Sequence, residues 1–561
     1  MMRRRFIFAI VIGATLALAG CSGIPTNGQV QRSDVTVEPP AADIEFLPSG
    51  PTKGDSQEGI LRGFIDAASS PQNDFAVARQ FLSTVFAPDW DPNASVTVDD
   101  GARDFLVIGD ASMTIRTGAK ANVDASGNYT AFDSKVPTTR DYTFVLEDGE
   151  WRIASAPQGV LLESFTFEQV FGQHVLYFFD PTYTLLVPDL RYFPSRASTP
   201  TRIMKALLAG PSPWLGESGA VVSAFPVGTQ LVADTVPITG TSASVDVSAA
   251  ALETTAETKR RMLRQAAASL GSLSSIFTVQ LSIEGVPQDI SAASEDAANG
   301  YPQVDSRPLV ISNGRMGYLQ SSGSLDELPR VADAVASYTP WSAAYSGVHR
   351  AAVINTDDGL YLVRSTGSTA LVDGRNDLAP GVFDYYGYIW SVPRTQAHDL
   401  FASTISGVKR IVTTPWPDDG KVVSISLSRD GTRVAAVIES LTGSSLYVSG
   451  ITRDGQNGPV SVGSPLILPI SAGVATSAVW VDSLTVGVLT TQADSNALVT
   501  LYSIGGASRT VAPGSPGVSM SAANGLTELF TRSSDGNLYN YRAGGAWRIA
   551  ATGISVLAQV Q

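Results

Sequence analysis

The segment Leu427-Ser-Arg-Asp-Gly-Thr-Arg-Val-Ala-Ala-Val-Ile438 joins a short polar turn to an apolar strand, and another strand begins at Leu446-Tyr447. An aspartate followed by glycine favours a tight turn, and the run of valine, alanine and isoleucine favours a buried strand. The segment therefore predicts neighbouring strands of one β-sheet.

The aromatic residue at the start of the second strand recurs along the chain. Its copies are Gly317-Tyr318, Leu360-Tyr361, Leu400-Phe401, Leu446-Tyr447, Leu501-Tyr502 and Leu538-Tyr539. They lie 43, 40, 46, 55 and 37 residues apart. A strand repeat near 40–45 residues is typical of a β-propeller blade, which must stack on other blades to bury both faces of its sheet. The spacing predicts an all-β propeller of about six blades over residues 304–561.

Two α+β regions precede the predicted propeller. Residues 57–192 contain two amphipathic helical segments followed by short alternating segments, which predicts helices first and strands afterwards. Residues 195–287 predict a compact αββαβ unit. Its expected elements are a helix capped by Thr199 and ended by Gly210, strands at 221–225 and 243–247, a helix over about 255–273, and a strand in which Phe277, Val279, Leu281 and Ile283 share one face.

The first 21 residues have the pattern of a secretory leader. Three arginines at positions 3–5 precede an apolar run too short to span a bilayer, and small residues then lead to Cys21. Cys21 is the only cysteine of the chain, so an intramolecular disulfide is excluded. The sequence predicts a signal peptide at 1–20, and a lipidated Cys21 with a flexible tether over 21–56 rich in proline, glycine and serine.

The charge balance limits the partners. The chain carries 38 basic and 52 acidic residues, with a net charge of −14. This acidity argues against nucleic acid and against electrostatic docking on anionic lipid, because both require clustered lysine and arginine. We therefore expect a covalent lipid to hold the protein at the membrane.

No pattern of residues predicts a catalytic or metal site. His174, His349 and His398 lack metal-ligand spacing, and the loop from Asp89 to Asp100 lacks the glycine and the glutamate of a calcium loop. We expect no catalytic residue, no cofactor and no metal. Paired carboxylates in the propeller channel would indicate a glycosidase. The acids considered for that role are Asp357, Asp358, Asp430 and Asp482.

Trp214 is the candidate contact for a partner, because it lies in a loop flanked by prolines and glycine, Gly210-Pro-Ser-Pro-Trp-Leu-Gly216. Tryptophan is enriched at the energetic centres of interfaces. We expect most of the other tryptophans, Trp341, Trp390, Trp416 and Trp480, to pack in the propeller core.

Several short segments, taken in their order along the chain, resemble segments of the actinobacterial lipoprotein LpqB family. They are Leu61-Arg-Gly-Phe-Ile-Asp-Ala-Ala-Ser-Ser-Pro71, Asp89-Trp-Asp-Pro92, Leu207-Leu-Ala-Gly-Pro-Ser-Pro-Trp-Leu215 and Phe225-Pro-Val-Gly-Thr229. The run Leu18-Ala-Gly-Cys21 resembles a lipobox, which implies that Cys21 becomes an N-palmitoyl, S-diacylglycerol cysteine. The family implies an NTF2-like domain, a GerMN-type domain and a propeller.

The resemblance also implies a role beside a two-component system of the MtrA–MtrB type, through the extracellular part of the sensor kinase. The expected protein is a non-enzymatic lipoprotein on the extracytoplasmic face of the cell membrane. Two alternatives stay open at this point. One is an envelope glycan-binding or glycan-processing protein that uses the propeller channel, and the other is a scaffold for envelope assembly.

Overall fold

The computed structural model describes residues 48–195, 198–290, 300–441, 443–470, 473–492, 496–513 and 517–561. From Pro48 onward these residues form one compact unit. The predicted signal peptide, Cys21 and most of the predicted tether lie outside the described residues.

The first region is a mixed sheet covered by helices. Its helices are α1 (Gln57–Ala67), α2 (Gln72–Arg79) and α3 (Ser164–Val170). Its strands are β1 (Ser95–Gly109), β2 (Ser112–Asp124), β3 (Tyr129–Glu147), β4 (Glu150–Ser155) and β5 (Val160–Glu163), in the order β4-β3-β2-β1-β5. Neighbours are antiparallel except β1 and β5, which are parallel.

Aromatic side chains fill the space between these helices and the sheet. The Phe64 ring lies 5.0 Å from the Trp90 ring and 6.3 Å from the Tyr142 ring, both edge-on. All three are buried. Helices on one side of a sheet that ends in a parallel strand are compatible with the NTF2-like prediction.

A long hairpin connects the first two regions. It consists of β6 (Phe171–Phe179) and β7 (Leu186–Pro194). Leu176, Phe178 and Val187 pack into the core of the second region, whereas Leu190 and Tyr192 pack into the core of the first. The hairpin therefore belongs to both cores, and the predicted domain boundary at 192 falls near its end. The predicted boundaries themselves stay a prediction.

The second region combines three helices with a four-stranded sheet. Its helices are α4 (Thr199–Ala209), α5 (Pro213–Gly216) and α6 (Ala256–Leu270), with a 3₁₀ turn at Ala249–Ala251. Its strands are β8 (Ile238–Thr239), β9 (Ser242–Val247), β10 (Thr278–Ile283) and β11 (Val286–Pro287), in the order β11-β10-β9-β8. The parallel pair β9 and β10 is connected through α6.

Three local predictions for this region were wrong. Ser198, rather than Thr199, occupies the N-cap of α4, and the Thr199 hydroxyl donates to the Pro194 carbonyl instead. Residues 221–225 form no named strand and are paired with the hairpin through a single β-bridge, from Val222 to Phe179. Phe277 precedes β10 and is 78% exposed, because it lies outside the sheet core that its neighbours enter.

The described residues after 300 form six sheets, one for each predicted blade. Their strands are β12 (Leu309–Ser312), β13 (Arg315–Leu319), β14 (Leu325–Glu327), β15 (Ser342–Ser346), β16 (Ala351–Thr356), β17 (Gly359–Arg364), β18 (Thr369–Asp373), β19 (Val382–Phe383), β20 (Ile389–Ser391), β21 (Phe401–Ser403), β22 (Lys409–Ile411), β23 (Lys421–Leu427), β24 (Arg433–Ser440), β25 (Gly443–Arg453), β26 (Pro459–Val462), β27 (Leu466–Pro469), β28 (Val474–Trp480), β29 (Thr485–Thr491), β30 (Ala497–Ser503), β31 (Ser508–Val511), β32 (Ser519–Ala522), β33 (Leu529–Arg532), β34 (Leu538–Tyr541), β35 (Trp547–Ala551), β36 (Ile554–Leu557) and β37 (Gln559–Val560). A short helix α7 (Val331–Val335) and a 3₁₀ turn at Leu526–Glu528 complete the region.

The first blade is closed by the last part of the sequence. Its sheet has the order β14-β13-β12-β36, so β36 supplies its innermost strand. Each recurring aromatic lies in the third strand of its blade, from Tyr318 in β13 to Tyr539 in β34. The repeat predicted from the sequence is therefore the blade repeat, and the propeller prediction is confirmed.

Candidate functional site

Trp214 lies in α5 at a joint between the second region and the propeller. Its half-buried indole packs against the core of the second region and also against an apolar cluster of the propeller. That cluster includes Val448 and Trp480. Contacts within the chain thus account for much of the Trp214 surface. Its role as a partner contact stays a prediction.

Two glycines of the fourth blade allow the segment after α5 to approach closely. A methyl group on Gly450 would collide with the Ser218 hydroxyl and come within 2.7 Å of the Ala220 side chain. A methyl group on Gly463 would come within 2.6 Å of the Ser218 side chain. In addition, the Thr452 hydroxyl donates to the Ser218 carbonyl at 2.6 Å. The joint is therefore closely fitted at these positions.

A buried ion pair holds α5 in place. The Arg191 guanidinium donates to the Asp189 carboxylate at 2.7 Å, and both side chains are at most 2% exposed. Asp189 also accepts hydrogen bonds from the Ser212 amide and hydroxyl, which precede α5. Arg191 donates to the carbonyl of Ser126 in the first region. One carboxylate and one guanidinium thus connect the hairpin with the regions on either side of it.

The last residues of the sequence lie along the propeller axis. Residues 558–561 form hydrogen bonds with Leu309, Tyr345, Ser428 and Ser521, which belong to four different blades. Near one mouth of this axis, the Tyr301 hydroxyl accepts a hydrogen bond from the Arg429 amide. The chain itself therefore occupies part of the channel that the glycan hypothesis requires.

The four acids proposed for a channel site have different local surroundings. Asp357 and Asp358 lie in an exposed turn, and Asp482 accepts from the Leu484 and Thr485 amides. Asp430 is fully buried and ion-paired with Arg433. Burial alone would raise the pKa of Asp430, but Arg433 and the hydroxyls of Ser428 and Thr432 hold it below its usual value. Asp430 and Asp482 thus have partners within their own turns, whereas Asp357 and Asp358 are exposed.

The histidines and the calcium-like loop occupy unrelated places. His174 is buried in the hairpin, His349 is half-buried near Gly387, and the His398 Nε2 lies 2.7 Å from the Asp418 carboxylate. In the loop, Asp91 accepts from the Asn93 amide, and Asp100 pairs with Lys135. No group of three or more metal-binding side chains occurs within the described ranges.

Trp390, Trp416 and Trp480 are buried as predicted, whereas Trp341 is 41% exposed. Sequence reasoning missed Asp189, Arg191, Gly450 and Arg429, which shape the joint and the axis. An Asp-x-Arg spacing within one strand was the only local signal for the Asp189–Arg191 pair. The other two carry no local signal, since their contacts come from distant parts of the chain.

The fold and these sites define a class of protein: a six-bladed β-propeller fitted against two α+β regions. Three family models match along this order. They are described as "Lipoprotein LpqB, N-terminal domain" over residues 50–168, "Sporulation and spore germination" over 175–289, and "Lipoprotein LpqB beta-propeller domain" over 318–556.

Several proteins named lipoprotein LpqB are similar to this chain in sequence. The chain is 25% identical to lipoprotein LpqB of Cutibacterium acnes, over 98% of each chain. It is 26% identical to the Streptomyces coelicolor protein of the same name, over 81% of this chain and 80% of that one. The Nocardia farcinica protein is 32% identical over 38% of this chain and 35% of its own length. The chain belongs to the lipoprotein LpqB family.

Solved structures resemble parts of the chain. The first GerMN domain of the sporulation protein GerM from Bacillus subtilis is 23% identical, with a TM-score of 0.18, and covers 21% of this chain and 86% of that one. A gluconolactonase from Xanthomonas campestris is 12% identical, with a TM-score of 0.29, over 46% and 89%. With TM-scores this low, we take no function from them.

Membership in a lipoprotein family implies a membrane-anchored lipoprotein. Among the helices of the described residues, none has the length and apolar character needed to cross a membrane.

Proposed function

We propose that this chain is a non-enzymatic lipoprotein that binds the extracellular part of a sensor kinase of the MtrA–MtrB type and modulates envelope signalling. Full-length similarity to lipoprotein LpqB is the observation that supports this proposal best. The proposal places the protein on the extracytoplasmic face of the cell membrane, held by an N-palmitoyl, S-diacylglycerol Cys21 after removal of residues 1–20.

The anchor would act by raising local concentration. A lipid on Cys21 confines the folded regions to a thin layer beside the membrane, so that even a weak contact with a membrane kinase becomes effectively intramolecular. A modified Cys21 would carry more than one acyl chain. Stable anchoring requires this, because a protein with a single acyl chain binds membranes only reversibly. The close packing of the second region on the propeller also supports the proposal, because regions held together can present one continuous surface to a partner.

Site-specific photo-crosslinking in living cells tests the proposal. A photoreactive phenylalanine derivative would replace one exposed apolar residue in each region: Val107, Phe277 or Leu441, which are 70%, 78% and 95% exposed. We expect at least one position to capture a sensor kinase from the native membrane. Recovery of envelope-assembly proteins or glycan strands alone, with no kinase at any position, would contradict the proposal.

The matched control is Cys21→Ala in each crosslinking variant. We expect this substitution to release the protein from the membrane fraction and to abolish kinase capture, while the folded regions keep their thermal unfolding midpoint. Retention of the Cys21→Ala chain in the membrane with unchanged capture would show that the lipid anchor plays no part.

A further inference from the structure

A cavity of about 360 Å³ lies at one mouth of the propeller axis. Three of the segments that line it come from separate parts of the sequence: residues 302–305, residues 346–348 and residues 560–561. Arg429, Tyr318 and Tyr385 complete its wall. Its volume falls within the range of small-molecule sites, about 300–1,000 Å³.

Arg429 is the unusual member of this wall. Its side chain is buried, and only 3% of the residue is exposed. Nη2 donates to the Ala522 carbonyl at 2.9 Å, but Nε and Nη1 have no hydrogen-bond partner among the described residues. A buried cation without a counter-charge is costly, whereas most buried charges in proteins are paired.

The neighbouring acids are engaged elsewhere. Asp305, on the same wall, accepts two hydrogen bonds from one edge of the Arg307 guanidinium, through Nε and Nη2. Asp482 and Glu528 act on Arg429 only at longer range, and they accept hydrogen bonds from Leu484 and Asn524. Burial lowers the pKa of Arg429 below its usual value, which agrees with a guanidinium that lacks a close anionic partner.

We propose that this cavity binds a small organic monocarboxylate, whose carboxylate pairs with the Arg429 guanidinium after a rotation of that side chain. A guanidinium can hold a carboxylate through two parallel hydrogen bonds. The apolar part of the ligand lies against Val348, Val560 and Tyr318, which line the same cavity. The ring of Tyr301, 5.7 Å from the Arg429 Cζ, supports the cation from another side.

Charge decides between a carboxylate and a phosphate. The cavity offers one unpaired positive charge, and the Asp305 carboxylate stands on its wall. A phosphate group carries about −1.5 to −2 charges at neutral pH and would leave an excess of negative charge here. A monocarboxylate balances Arg429 one to one.

Isothermal titration of the full chain in detergent tests the site, with benzoate, its neutral isostere benzamide, and inorganic phosphate as probes. We expect saturable one-to-one binding of benzoate and at least tenfold weaker binding of benzamide and phosphate. Absence of benzoate binding, or tighter binding of phosphate, would overturn the proposal.

Three variants locate the binding. Arg429→Gln is expected to lower the affinity for benzoate at least tenfold, whereas Arg394→Gln, a half-buried arginine of another propeller cavity, changes it less than twofold. Val348 is exposed, so the larger side chain of Val348→Trp can be accommodated and is expected to fill the cavity. This variant should lower the affinity for benzoate as much as Arg429→Gln does, although Arg429 itself is unchanged. Unchanged benzoate binding in Arg429→Gln or in Val348→Trp would place the ligand elsewhere and refute the site.

Discussion

A buried arginine lies at the joint and another lies at the propeller axis, and the two differ in whether a carboxylate pairs with them. At the joint, Arg191 meets the Asp189 carboxylate, and that carboxylate also holds the backbone before α5. At the axis, Arg429 is equally buried but has no carboxylate within ion-pair distance among the described residues. Arg191 therefore stabilises the arrangement of the regions, whereas Arg429 is the residue proposed to bind a ligand.

The largest expected effect comes from breaking the pair at the joint. Asp189→Ala leaves Arg191 buried without its counter-charge and removes the acceptor for Ser212, so we expect the free energy of unfolding to fall by about 3–5 kcal/mol. Urea denaturation measures the loss. The control is Glu257→Ala on the exposed face of α6, where the pairs with Arg260 and Arg261 should together contribute at most about 1 kcal/mol. Equal losses from the two substitutions would contradict the claim that the buried pair at the joint stabilises the fold more than an exposed pair does.

A smaller effect is expected where the joint is apolar. Trp214→Ala removes a half-buried indole from two clusters, and we expect a loss of about 2 kcal/mol, below the cost for a fully buried tryptophan. Limited proteolysis should also become faster between the second region and the propeller. Trp341→Ala serves as the control, since its indole is 41% exposed. Reduced kinase capture with unchanged stability would instead favour the partner role predicted for Trp214.

The axis should respond in the opposite direction from the joint. Arg429→Met replaces an uncompensated buried cation by an apolar side chain of similar length, so we expect the free energy of unfolding to stay unchanged or rise by about 1 kcal/mol. Thermal unfolding in the absence of added carboxylate measures this. A loss as large as that of Asp189→Ala would mean that Arg429 is a structural residue like Arg191.

The smallest expected effect concerns His174, which lies opposite Arg191 in the hairpin and stacks on Phe193. Burial lowers its pKa from the ordinary value of 6.5. As the pH falls below about 6.5, the unfolded chain binds a proton that the folded chain does not, so the free energy of unfolding decreases. Over one pH unit the decrease is less than about 1.4 kcal/mol.

Urea midpoints at pH 7.5 and 5.5 check this prediction. His174→Phe should flatten the decrease, because phenylalanine preserves the stack on Phe193 and binds no proton. His398→Gln, which changes an exposed histidine beside Asp418, should leave the decrease in place. An identical pH dependence in the wild type and in His174→Phe would exclude this histidine as its source.

The predictions from sequence succeeded where the signal was local. The recurring aromatics marked the third strand of every blade, one of the two amphipathic segments predicted in 57–192 is α1, and the helix predicted over about 255–273 is α6. They failed at element ends and at the long hairpin. Phe277 fits the alternation of β10 but lies one residue before it, and no local pattern tells that the hairpin serves two cores.

The sequence by itself determined the order of the regions, the propeller and the lipobox-like Cys21, because periodicity and short motifs depend on residues close together in the chain. Only the tertiary structure decided that β36 closes the first blade, that Trp214 enters a joint, and that Arg429 is buried beside a cavity without a partner. Those features depend on residues hundreds of positions apart, such as Val310 with Leu557, or Thr452 with Ser218. Burial and charge pairing arise only when such segments meet, so no local pattern encodes them.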